Sequence, residues 1–168
     1  MAGVARIRLL VACWLVLATT AAFAAELKPF VPGSMKQILA AHQGKPFILS
    51  VWSLDCVHCR DDLQLLGKLS RKHPSLDIVL IATDTPAETA ALTATLRQYG
   101  LQHAEAWVFA DEFSERLRFE IDRHWYGELP RTYLIAAGGE TQGISGKLDV
   151  FHVEQWAHDH AAPARRQR

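Results

Sequence analysis

Residues 46–59 run Pro46-Phe47-Ile48-Leu49-Ser50-Val51-Trp52-Ser53-Leu54-Asp55-Cys56-Val57-His58-Cys59. The part from Pro46 to Trp52 is short, apolar and bounded by turn formers, the signature of a strand buried on both faces. From Cys56 to His73 apolar side chains recur at Leu63, Leu66 and Leu69 with polar residues between, which predicts a helix ending before Pro74. Two cysteines separated by two residues therefore sit where a buried strand gives way to a helix.

The pattern continues on both sides. Glu26 to Gly33, with two prolines, reads as an extended lead-in, and Ser34 as the N-cap of a helix of about Met35 to Gln43 closed by Gly44. A second buried strand is predicted at Asp77–Ala82. Thr85-Pro86-Ala87-Glu88 combines a capping box with proline at the first helical position, predicting a helix to Tyr99 that stops at Gly100. Trp107–Ala110 reads as a short strand, and Asp111 as the start of an amphipathic helix through Phe113, Leu117 and Ile121. Thr132–Ala136 reads as a strand, Gly138-Gly139 as a hairpin turn into Thr141–Ser145, and Asp149 as the cap of a last helix carrying Val150, Val153 and Trp156. Strands alternating with helices, with no repeat or linker, predict a single α/β domain whose sheet is flanked by helices.

Composition agrees. The chain has 168 residues, 18 acidic against 18 basic groups, 49% apolar residues and 21% charged ones, close to globular averages and unlike disordered or low-complexity chains. A neutral balance without a basic stripe lacks the footprint that nucleic-acid binding needs. At the N-terminus Arg6 and Arg8 precede the apolar stretch Leu9–Leu17 and then Ala22-Phe23-Ala24, the three-part pattern of a secretory leader cleaved after Ala24. The expected division is a leader at 1–24, a domain at 25–160 and a flexible basic tail at 161–168. A retained anchor is the alternative, although the apolar run is shorter than the roughly 20 residues a spanning helix needs. Leu10-Val11-Ala12-Cys13 also matches a lipoprotein cleavage pattern but would leave almost no apolar region before the cut. Cleavage after Ala24 removes Cys13, leaving Cys56 and Cys59 in an oxidising compartment, the periplasm, where a thiol pair becomes a disulfide unless kept reduced.

At a helix start the first N–H groups lack intrahelical partners and favour an anion, so Cys56 is expected to be a partly exposed thiol of lowered pKa. Cys59, one turn deeper, is placed to close a disulfide with it and to act as the resolving thiol. His58 would stabilise a Cys56 thiolate further, which makes the disulfide more oxidising, as in DsbA. Asp62, one turn beyond Cys59, is a candidate proton relay if a partly apolar setting raises its pKa. Two other readings of the pair stand beside the redox one. A structural disulfide would close only a very short loop, worth roughly 2 kcal/mol. A metal site would need two further ligands, and there is no second CxxC; His152, His158 and His160 read as a solvated helix end.

Trp52 four residues before the first cysteine, the CxxC between strand and helix, and Leu129-Pro130 before a late strand resemble the thioredoxin superfamily. The additional helix and strand between about Thr85 and Ala110 make the chain most similar to exported thiol-disulfide oxidoreductases of the TlpA/ResA type, over about Lys45 to Gly146. The resemblance implies a thioredoxin-like fold: a central mixed β-sheet flanked by helices, with a helix-strand unit inserted between the CxxC half and the cis-Pro half. It implies that Pro130 is cis, faces the disulfide and denies metal ions access to the cysteines. The Leu129 backbone would pair with a bound peptide as an added strand. Trp52, Leu129 and Arg131 would line the substrate groove, and Asp62 falls where this group has an active-site glutamate.

The implied function is a periplasmic reductase that needs no cofactor and holds no metal. Protein substrates such as apocytochrome c or copper-centre assembly factors would be served, with recharging by a membrane thiol donor of the DsbD/CcdA kind. His58 favours the alternative of a DsbA-like oxidase or isomerase. A copper-binding metallochaperone on the same fold would need His124 or His152 as an extra ligand. Three positions depart from the thioredoxin pattern: Ser50 replaces a buried aspartate, Asp55 replaces a tryptophan and opposes a Cys56 thiolate, and Arg131 adds a cation beside the proline.

Overall fold

A computed structural model describes residues 27–161; the leader read at 1–24 and residues 162–168 of the tail lie outside the described residues. Six strands and five helices follow in the order β1 (Lys28–Phe30), α1 (Ser34–Ala41), β2 (Phe47–Trp52), α2 (Cys59–Lys72), β3 (Asp77–Ala82), α3 (Thr89–Gln98), β4 (Glu105–Phe109), α4 (Ser114–Ile121), β5 (Arg131–Ile135), β6 (Thr141–Ser145) and α5 (Val150–His160). They build one mixed sheet in the order β1-β4-β3-β2-β5-β6. β1, β4, β3 and β2 run parallel; β5 and β6 complete the sheet antiparallel. The inserted unit is α3 with β4, which threads its strand between β1 and β3.

β2 and β3 are nearly continuous apolar runs because helices cover both faces of the sheet centre. Side chains alternate between the faces. Ile48, Trp52, Leu80 and Leu134 pack with α2, α3 and α5, around Leu63, Leu66, Leu96 and Val153. Leu49, Val51, Ile81 and Tyr133 pack with α1 and α4, around Ile38 and Leu117. α2 approaches the end of α3 closely at Gly67, where a Cβ would overlap the Tyr99 carbonyl oxygen.

Several expected boundaries move for identifiable reasons. The lead-in is a three-residue edge strand, with Lys28 opposite Trp107 and Phe30 opposite Phe109. Ser34 lies inside α1 rather than capping it: its Oγ accepts the Val31 N–H at 2.9 Å, and Glu120 of α4 caps the helix by accepting from Gly33 and Met35. The capping box at Thr85–Glu88 forms around a 3-10 turn, Pro86–Glu88, that precedes α3. α4 starts at Ser114, leaving Phe113 exposed, because Asp111 accepts the Phe113 N–H and turns the chain first. Asp149 caps α5 as expected, accepting the His152 N–H at 2.7 Å. Among the described residues no helix is long and apolar enough to cross a membrane.

Candidate active site

β2 delivers the chain to the site. The Trp52 carbonyl at its end accepts the Thr83 N–H at 2.9 Å, and the following turn is held by Asp84, whose carboxylate accepts the Leu54 N–H at 3.2 and 3.3 Å. Cys56 then donates its N–H to the Ser53 carbonyl. Regular α2 begins at Cys59, three residues later than the sequence suggests, so Cys56 stands just ahead of the helix in a cap-like position. Its sulfur accepts the Cys59 N–H at 3.2 Å. The same N–H also reaches the Cys56 carbonyl at 3.2 Å, and a helix-start N–H shared with a sulfur stabilises negative charge on it.

The two sulfurs are bonded to each other, with the Cα atoms 5.3 Å apart. Cys56 is half-buried and flanked by exposed Asp55, Val57 and His58, whereas Cys59 is 1% exposed. One sulfur of the pair is thus open to a partner and the other is shielded.

Asp62 lies one turn beyond Cys59 and is 2% exposed. Its Oδ1 accepts the Leu148 N–H at 3.0 Å, while Oδ2 has no hydrogen-bond partner. Burial pushes its pKa up to about 6; neighbouring Asp61 adds to the rise, and the Leu148 N–H, Lys147 and His58 oppose it. Asp61 is exposed and pairs with Lys147 at 2.7 Å, which holds its carboxyl below the usual range. The segment Lys147–Leu148, between β6 and α5, thereby closes over the first turns of α2. Burial also raises Asp84, with Glu88 and Asp55 adding repulsion against the Leu54 hydrogen bond.

The other expected residues fall at different depths. The Leu129–Pro130 bond is cis, Pro130 is buried, and its carbonyl accepts the Gly146 N–H at 2.9 Å. Leu129 is partly buried and packs against the apolar clusters of both faces. Trp52, expected in the substrate groove, is 2% exposed: its position in β2 turns it into the core beneath α2. Ser50 lies on the same face, its hydroxyl 3.3 Å from that of Thr132.

Arg131, expected as a groove cation, points to the opposite face. Its guanidinium donates to Asp122 at 2.8 Å, to the Tyr133 hydroxyl at 3.0 Å and to Ser145. Asp122 is held below the usual carboxylate range first by the His124 N–H and then by Arg131 and Tyr133. Burial pushes Tyr133 up to about 12. The charge of Arg131 is therefore satisfied there and does not offset Asp55. His124 stands 3.6 Å from Asp122 and His152 3.2 Å from Gln142, and among the described residues no three His, Cys, Asp or Glu side chains form a group able to hold a metal.

Asp84 and the Lys147–Leu148 strap were absent from the sequence-based site. Both act through contacts distant in sequence; the only local signal was an aspartate just after the second buried strand.

Solved structures with the same architecture include a secreted disulfide oxidoreductase of Mycobacterium tuberculosis homologous to E. coli DsbE, 20% identical, with a TM-score of 0.56 over 71% of this chain and 85% of that one. A thioredoxin-family thiol:disulfide interchange protein of Chlorobium tepidum aligns over 74% and 85% at 16% identity and a TM-score of 0.59. StoA of Bacillus subtilis aligns over 68% and 83% at 18% identity and a TM-score of 0.50. The fold is thioredoxin-like. No family model and no curated protein sequence matches the chain. Within this thioredoxin-like fold the CxxC lies at the strand-to-helix junction and the cis-proline at the start of the antiparallel half, as the resemblance implied.

Proposed function

We propose that the chain is a thiol-disulfide oxidoreductase acting on protein substrates outside the cytoplasm, in the TlpA-like reducing direction. The observation that carries this reading is the asymmetry of the pair: Cys56 open, its sulfur receiving the first helical N–H, and Cys59 buried one turn above Asp62. In the reduced form the Cys56 thiolate attacks one sulfur of a substrate disulfide, and the other sulfur leaves as a thiolate that takes up a proton. Cys59 then gives its proton to the Asp62 carboxylate. Its thiolate attacks the Cys56 sulfur, closing the Cys56–Cys59 disulfide and releasing the second substrate thiolate. A dithiol donor of the DsbD/CcdA kind restores the reduced pair. Apocytochrome c and copper-centre assembly factors are substrates of suitable chemistry.

The charges around the pair support the reducing direction. Asp55 adjoins Cys56 and Asp62 follows Cys59, so the thiolate receives less stabilisation than His58, Arg60 and the helix start alone would give. Less stabilisation of the reduced form means a more reducing couple. The leader pattern supports an extracytoplasmic location. The test has two parts. Cys59→Ala should accumulate mixed disulfides on Cys56, and Cys56→Ser should accumulate none; equal accumulation would sink the mechanism. Equilibration with glutathione should place the couple near the thioredoxin value of about −270 mV, and a value near the DsbA value of about −120 mV would reverse the direction.

A further inference from the structure

A cavity of about 210 Å³ is lined by residues from both sides of the cysteine motif: Leu54 before the pair and Arg60 directly after it. Trp52 and Leu63, both buried, lie at its base, and its far wall is the last turn of α3 with Gln98 and the adjoining Tyr99. Arg60 and Gln98 are exposed and Tyr99 is half-buried. No hydrogen bond or ion pair ties any of these three polar side chains to another described residue.

The freedom of Arg60 is selective. Four aspartates surround the motif, and none pairs with it: Asp61 is taken by Lys147, Asp62 by the Leu148 N–H and Asp84 by the Leu54 N–H, while Asp55 is exposed. A guanidinium, an amide and a phenol hydroxyl around one cavity can together donate several hydrogen bonds to a planar anion. The volume is below that of sites for whole small molecules, which begin at about 300 Å³, and suits a single side chain.

From this juxtaposition we propose that the cavity is a specificity subsite for the polypeptide held on Cys56. It takes an acidic side chain, glutamate above all, with Arg60 as its charged partner and Gln98 and Tyr99 as further donors. The inference rests on the proposed thiol-disulfide exchange and narrows its substrates to proteins with an acidic residue close to the attacked cysteine. An extended chain advances about 3.3 Å per residue, so the positions two residues to either side of the attacked cysteine are the ones to vary.

The test uses the full chain, reduced, and disulfide-linked peptides that differ at one position, Glu, Gln or Lys, placed two residues before or two residues after the attacked cysteine. The second-order exchange rate is measured for each. The Glu peptide is expected to exceed its Gln counterpart by about fivefold on one of the two sides, with Lys slowest, and salt should compress the difference. Arg60→Gln should bring the Glu-to-Gln ratio close to one, and Gln98→Ala should lower it partway. The ratio cancels any effect of Arg60 on Cys56 reactivity itself. Equal rates for Glu and Gln on both sides, or a ratio that survives Arg60→Gln, would overturn the subsite while leaving exchange intact. Failure to exchange with every peptide would refute the proposed function, and the subsite with it.

Discussion

Replacing Asp62 by Asn should stabilise the oxidised protein at neutral pH and leave it no more stable in acid. Asp62 is 2% exposed, one of its oxygens has no partner, and burial raises its pKa from 3.8 to about 6. At about 1.4 kcal/mol for each tenfold change in the ionisation constant, that rise amounts to about 3 kcal/mol. Above about pH 7 the carboxyl is ionised in both folded and unfolded chains, and the fold bears the whole of this burden. Between about pH 6 and pH 4 the folded chain holds a proton that the unfolded chain releases, so the wild type gains stability as pH falls through that window. Asn has no such dependence. Its amide brings two donors to the place where Oδ2 has no partner, costing about 1 kcal/mol, so the net gain at pH 7.5 should be about 2 kcal/mol.

Urea unfolding of both oxidised proteins at half-unit steps from pH 4 to 8 measures the difference directly. The advantage of Asp62→Asn should vanish or reverse near pH 4, grow through pH 5 and 6, and flatten above 7. A difference that is the same at pH 4 and pH 7.5 would refute the desolvated carboxylate. The same variant should lengthen the lifetime of a mixed disulfide on Cys56, because Cys59 loses its nearby proton acceptor. More stability with slower turnover is the trade expected when a strained group serves chemistry.

Two further substitutions test how the surroundings hold the site. Asp84→Ala removes the acceptor of the Leu54 N–H and should cost about 1–2 kcal/mol; amide hydrogen exchange at Leu54 should accelerate, and unchanged protection would show that Asp84 does not hold the turn. Gly67→Ala places a methyl group against the Tyr99 carbonyl, so despite better helix propensity it should lower the thermal midpoint, with a net cost of about 1–2 kcal/mol; an unchanged midpoint would mean that α3 yields freely.

The centre of the fold was legible because β2 and β3 are covered on both sides and so carry continuous apolar runs, an unambiguous local signal. The cysteine pair and Asp62 were legible for a related reason: they lie within two turns of one helix start. β1 was not, since three residues including a proline carry no periodicity and its partner lies on the inserted strand. The cap of α1 misled for the same cause: Ser34 has the right chemistry, but Glu120 from a distant helix does the capping. Strand alternation already implied which way two groove candidates point. Trp52 shares its face with Ile48 and is buried under α2, and Arg131 shares its face with Tyr133 and meets Asp122 on the other side. What alternation could not supply was Asp122 itself, which arrives from the end of α4.

The placement of β4 between β1 and β3 also sets an order of assembly. Lys28 finds its strand partner only at Trp107, so the first strand of the described chain has no sheet neighbour until the inserted strand is in place. Closing so long a loop carries an entropic cost that nearer pairings avoid. The β2–β3 pair with α2, which carries the cysteines, can thus consolidate first, and the N-terminal edge zips on last. Amide protection acquired during refolding should therefore appear at Leu49 and Leu80 before it appears at Phe30.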